Sequence, residues 1–220
     1  MKDTLKNEIN IPVDDVIITG DLALPEKTKG IIVFAHGSGS SRHSTRNKQV
    51  AQILNEAGFG TLLFDLLTVQ EDQDYATRFD ISLLTDRLVK VTDWLKSGQT
   101  TADLAIGYFG ASTGAAATLR AAATLGRNIV HAVVSRGGRP DLAEQSFLAQ
   151  VETPTLLIIG GLDKQVIELN EQAFVLLKGE KEIKIVPGGS HLFEEPGKLE
   201  EVGSFAVEWF NKYLVTLISS

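Results

Sequence analysis

The chain contains no cysteine in its 220 residues. Disulfides, Cys-ligated zinc, iron–sulfur clusters and a thiolate nucleophile are therefore excluded. Basic residues are outnumbered: 21 Lys and Arg stand against 28 Asp and Glu, a formal net charge of −7. That sign withholds the basic footprint that phosphate backbones need, so no nucleic-acid partner is expected. No apolar run comes near the roughly 18 residues of a membrane span, and no membrane partner is expected. Residues 1–10 are polar and carry no apolar signal core, so the expected location is the cytoplasm. Repeats, low-complexity tracts and linkers rich in Pro, Gly or Ser are missing too. Residues 1–220 thus read as one domain, a size that single domains reach.

What the chain does hold is 43% hydrophobic and 22% charged residues, the composition of a globular protein with a sizeable core. Short apolar runs at 31–35, 61–65, 104–109, 130–135, 155–160 and 182–186 are apolar at nearly every position. Continuous hydrophobicity suits strands covered on both faces, as in a parallel sheet between helices. Helical spacing separates them. Ile81, Leu84, Leu88, Val91 and Leu95 make one apolar stripe. Segment 49–57 stops at Gly58, and 199–214 turns Phe205, Trp209 and Phe210 inward. Segments 8–13 and 16–22 flank Asp14-Asp15 and read as an antiparallel hairpin. Two strands followed by repeated βα units predict a doubly wound, mostly parallel sheet of about eight strands. Residues 66–77, with Glu71, Asp72 and Asp74, read as a solvated surface loop and leave no room for a large lid.

Chemistry enters at Gly110-Ala111-Ser112-Thr113-Gly114, which follows the run 104–109 and precedes an Ala-rich helical segment, 115–125. This is G-x-S-x-G between a strand and a helix. So sharp a turn at the serine leaves no space for side chains two positions away, hence the glycines. Strain there projects Oγ outward, and the helix N-terminus behind it offers unpaired N–H groups and a positive dipole end. Chance alone supplies the pentapeptide in about one chain in ten of this composition, so context has to carry the reading.

A serine hydroxyl needs a base, and the base needs a group to hold its tautomer. Gly161-Leu162-Asp163 follows the run 155–160, and Pro187-Gly188-Gly189-Ser190-His191 follows 182–186. Both sites fall at the carboxyl ends of strands, where ligands of doubly wound sheets bind. The order Ser112, Asp163, His191 is the Ser…Asp…His order of G-x-S-x-G enzymes. Asp163 also reads as an N-cap for a helix over 165–177. Of the four histidines, His36 opens a glycine turn, His43 lies on a loop and His131 starts a strand, which leaves His191 as the base. An oxyanion hole needs two N–H donors. Thr113 N–H, next to the nucleophile, is one; Ser38 N–H in His36-Gly37-Ser38-Gly39 is the other, with Gly39 as the alternative. His36 itself reads as a structural residue holding that loop.

The same loop competes as a dinucleotide fingerprint, since Gly37-Ser38-Gly39-Ser40-Ser41-Arg42 follows a strand and Asp65 ends the next one. Arg42, however, fills the third glycine position, where close helix packing leaves no room. No phosphate loop of the G-x-x-x-x-G-K-[ST] kind occurs.

Together His36–Ser44, Gly110–Ala116, Ser135–Ala143 and His191–Gly197 carry a resemblance covering nearly everything from residue 30 onward. The chain resembles the α/β-hydrolases of the dienelactone-hydrolase-like group. The resemblance implies an α/β-hydrolase fold without a large lid, and ester or lactone hydrolysis with no metal and no organic cofactor. Dienelactone hydrolases proper use a cysteine where Ser112 stands here, so their substrate is not carried over. Some relatives are fused to a phosphoribosyltransferase domain, which is not expected within these 220 residues.

The expected function is therefore a serine hydrolase of small carboxylic esters or lactones. Acyl transfer or amide cleavage by the same residues, and a binding protein without turnover, are the alternatives. Arg136 at the end of the run 130–135, with Arg42 and Arg46 after the oxyanion loop, suggests a rim for an anionic substrate. Arg136 reads equally as a partner of Asp141 that shapes the Gly137-Gly138 turn. The sequence leaves the oligomeric state open.

Overall fold

Eight strands pair into one sheet in the order β1-β2-β4-β3-β5-β6-β7-β8, in a computed structural model that describes residues 4–214. Residues 1–3 of the polar N-terminal stretch lie outside the described residues. The hairpin joins β1 (Thr4–Val13) to β2 (Val16–Pro25), longer than the alternation predicts, through Asp14 at φ 47°. β2 pairs antiparallel with β4 (Gly60–Phe64), and every later pairing is parallel. β3 (Ile31–Ala35), β4 and β5 (Ile106–Ala111) are buried along their whole length, as is β7 (Thr155–Gly160). β6 (Val130–Arg136) admits solvent only at His131, while β8 (Lys181–Val186) is the half-exposed edge. The inner runs are continuous because helices cover both faces; the run 182–186, at the edge, is not covered in this way.

Alternation along each strand divides the core in two. Val33, Tyr108, Val133 and Leu157 pack on the face of α2 (Ile81–Ser97), α3 (Thr113–Leu125) and α5 (Lys164–Leu176). Ile32, Phe34, Phe109, Val134 and Ile158 pack on the face of α1 (Thr45–Glu56) and α6 (Lys198–Leu214). The α2 stripe from Ile81 to Leu95 is buried as its spacing predicts, and Asp80 caps the helix by accepting from Leu83 N–H. Phe205 is partly buried, against the full burial of Phe210.

One local expectation is corrected. Residues 66–77 are anchored rather than simply solvated: Glu71 accepts from Thr68 N–H at 2.8 Å and pairs with the buried Arg87 at 2.6 Å. After the Gly137-Gly138 turn the chain continues into the 3-10 turn Pro140–Ala143 and the short α4 (Gln145–Leu148). Among the described residues no helix is long and apolar enough to cross a membrane.

The chain leaves β3 on one side for β4 and returns on the other for β5. This is the point where strand order reverses, and it opens a crevice between the loops that follow β3 and β5.

Candidate active site

Ser112 stands in that crevice, between the last residue of β5 and the first of α3, at φ 50° and ψ −120°. A non-glycine residue at positive φ is strained, and the surroundings hold it there. Its N–H donates to Arg136 O at 3.3 Å, and its carbonyl accepts from Ala115 and Arg139 N–H, both at 3.1 Å. The flanking glycines are steric requirements. A Cβ on Gly110 would lie 2.5 Å from Ala115 Cα, and one on Gly114 would lie 2.2 Å from Ala35 O. Gly37 faces the serine itself, since a Cβ there would come 3.1 Å from Ser112 Cβ.

Asp163 and His191 meet across the neighbouring loops. His191 Nδ1 lies 2.6 Å from Asp163 Oδ2, with the carboxylate mostly shielded and the ring more than a third exposed. Asp163 does occupy the N-cap position of α5, yet its side chain caps nothing and turns to the imidazole instead. Gly160 permits the approach of the His191 loop, because a Cβ there would meet Ser190 O at 2.3 Å. Gly137 backs onto the imidazole, whose Cε1 and Nδ1 would be 3.6 Å from an added Cβ. The Arg136–Gly137 peptide therefore runs between Ser112 and His191. Ser112 Oγ makes no hydrogen bond among the described residues.

On the β3 side, Ser40 N–H closes a turn on Gly37 O at 3.1 Å, with Gly39 in the left-handed region at φ 67°. Ser38 N–H is not free: it donates to Thr113 Oγ1 at 2.8 Å. The hydroxyl of Thr113 thus ties the two loops together, a role beyond that of its backbone which no sequence pattern signals. His36 holds the same loop from beneath. Its Nε2 accepts from Leu66 N–H at 3.1 Å and its Nδ1 donates to Gly37 O at 3.0 Å. Burial pushes the His36 pKa down, which suits this neutral, twice-bonded ring.

The three arginines do not converge. Arg42 is held by Asp65 at 2.6 Å, with Glu8 and Asp21 also in reach, so it lies on the β2–β4 side. That pairing also occupies the acid that a ribose would need. Asp141 is gripped by Arg139 through two hydrogen bonds of 2.8 and 2.7 Å and leaves Arg136 unserved. Arg136 is buried, and burial together with the charge of Arg46 pushes its pKa down to about 10. Arg46 itself pairs with Glu194 of the His191 loop at 2.8 Å.

A strained serine on a strand–helix elbow, at the reversal point of a mostly parallel sheet with an acid and a histidine on later loops, defines an α/β-hydrolase. Comparison with solved structures narrows this. The dienelactone hydrolase of Anabaena variabilis is 52% identical, with a TM-score of 0.92 over 96% of this chain and 99% of that one. The chain belongs to the dienelactone hydrolase family. A lidless α/β serine hydrolase of Xanthomonas campestris shares the fold at 21% identity and a TM-score of 0.77, covering 95% of each chain. Two Mycobacterium tuberculosis proteins, from strains CDC 1551 and H37Rv, are 56% identical over 207 residues. These cover 94% of this chain and 46% of theirs, so the chain spans about half the length of the curated relatives it matches. Those relatives carry the provisional name phosphoribosyl transferase. No family model matches the chain.

Proposed function

We propose that the protein is a serine hydrolase that cleaves small carboxylic esters or lactones through an acyl-enzyme. The observation that carries this reading is the 2.6 Å contact of His191 Nδ1 with Asp163, formed although Asp163 sits where it could cap α5. A carboxylate on Nδ1 leaves Nε2 unprotonated and free to take a proton. Ser112 Oγ attacks the acyl carbonyl as its proton passes to His191 Nε2, and Asp163 stabilises the resulting imidazolium. Thr113 N–H and Ser38 N–H hold the oxyanion. For the second of these, the oxyanion replaces Thr113 Oγ1 as acceptor, which a turn of the threonine side chain accomplishes. Collapse of the tetrahedral intermediate expels the alkoxide, protonated by His191. Water, deprotonated by His191, then releases the carboxylic acid and restores Ser112.

The test is a hydrolysis screen of p-nitrophenyl esters and small lactones with wild type beside Ser112→Ala. The reading expects turnover by wild type and a fall of at least about 10⁴-fold in the variant. Equal turnover by both proteins refutes it.

A further inference from the structure

Arg136 is the anomaly of the site. The residue is 7% exposed, and its Nε and Nη1 are closed to solvent and donate to nothing. An unpaired charge in the interior costs stability, and proteins rarely keep one without a counter-ion. The acid nearest in sequence, Asp141, belongs to Arg139.

Strand geometry shows on which face this side chain leaves the sheet. Arg136 is two residues beyond Val134, so both side chains leave β6 on the face of α1 and α6. Phe193 of the His191 loop packs into the same core. Arg46 stands in the first turn of α1 on that face, close enough that its charge depresses the ionisation of Arg136. Arg46 Nε is also buried and unpaired. Its partner Glu194 is 61% exposed, and the first turn of α1 holds no acidic residue. Two guanidinium groups, a helix N-terminus worth about half a positive charge, and one exposed carboxylate leave a local excess of positive charge. This occurs on a chain of net charge −7. The root of Arg136 touches the proposed nucleophile, since its carbonyl accepts the Ser112 N–H.

We propose that Arg136, Arg46 and the start of α1 form a phosphate-binding subsite, and that the hydrolysed ester or lactone carries that phosphate. One carboxylate would satisfy one guanidinium and leave the pair repelling each other. A phosphate dianion has the charge and the acceptor oxygens to bridge both. The inference deepens the serine-hydrolase reading and rests on it for the reaction, but not for binding.

The experiment is thermal unfolding in phosphate-free buffer and in about 20 mM inorganic phosphate, with equal ionic strength from sodium chloride or sodium acetate as controls. Phosphate should raise the Tm of wild type and of Ser112→Ala. It should raise that of Arg136→Met or Arg46→Ala far less. Without phosphate, Arg136→Met should melt no earlier than wild type, because it removes an unpaired buried charge. Should Arg136→Met not fold, Arg136→Lys carries the test and should bind phosphate at least ten times more weakly. Arg136→Lys should also raise KM for a phosphorylated ester at least ten times more than for its neutral counterpart. No phosphate-dependent rise in wild type, an equal rise with acetate, or an undiminished rise in the Arg136 variants overturns the proposal. Binding without turnover keeps the subsite and refutes the hydrolase reading; turnover without binding does the reverse.

Discussion

At the scale of single residues, the site depends on side chains that each forgo an ordinary role. Asp163 occupies a helix N-cap and caps nothing, because its carboxylate is engaged by His191. Asp163→Asn should therefore keep the fold while kcat falls on the order of 10⁴, since an amide stabilises the wrong tautomer. Circular dichroism and steady-state kinetics on the same sample check this, and a loss under about tenfold would place the orienting acid elsewhere. The Asp163–His191 contact was legible in the sequence because residue order and strand-end glycines point to it. The pairings of the arginines were not. Arg42 faces Asp65 because β3 and β4 are parallel neighbours whose loops leave side by side, a contact that strand order reveals and sequence distance hides. The Thr113 hydroxyl on Ser38 N–H depends on a side-chain rotamer, on which sequence is silent.

The decisive element is the β5–Ser112–α3 elbow. Helix α3 lies so close to β3 that Gly114 has the carbonyls of Ala35 and His36 where a Cβ would be, at 2.2 and 2.5 Å. Backbone cannot step aside as a flexible side chain can. Gly114→Ala should cost at least about 3 kcal/mol or prevent folding, at the upper end of what overpacking does. Gly107→Ala is the instructive contrast. Its nearest neighbours are side-chain atoms, Phe210 Cε1 at 2.7 Å and Ile32 Cδ1 at 3.0 Å, so it should cost less. Urea unfolding of the two variants ranks them, and the reverse order would contradict this packing. The same element shows what patterns could tell. The inner parallel strands β3 to β7 were legible as continuous apolar runs because helices cover both faces, whereas β8 is half-exposed and carries Glu182 and Lys184. Strand β5 nevertheless starts at Ile106 and ends at Ala111, two residues later at each end than the run. Pro140–Ala143 and α4 escaped notice because they are too short for a helical period to register.

For the whole molecule, acid should loosen the fold before the carboxylates titrate. Burial depresses the ionisation of His36, and also that of His131, whose Nδ1 accepts from Ile106 N–H at 3.3 Å. Each is neutral when folded and takes up a proton near pH 6.5 when unfolded, so the unfolded state binds more protons below that pH. The stabilisation is complete above about pH 6.5 and is lost as pH falls, at up to about 1.4 kcal/mol per unit for each ring. Thermal melts from pH 7 to 5 should show a falling Tm, and His36→Gln should flatten the slope; an unchanged slope would clear His36. That ring ties the loop after β3 to the start of the loop after β4, so its protonation should loosen the crevice as well as the fold.

The central claim is that Ser112 is the nucleophile, activated by His191. Mass spectrometry after treatment with a fluorophosphonate tests it most directly. One adduct per chain, on the peptide containing Ser112, is predicted for wild type. None is predicted for Ser112→Ala, and labelling of His191→Ala should be slowed by orders of magnitude. An adduct on another serine, or one that persists in Ser112→Ala, would contradict the claim.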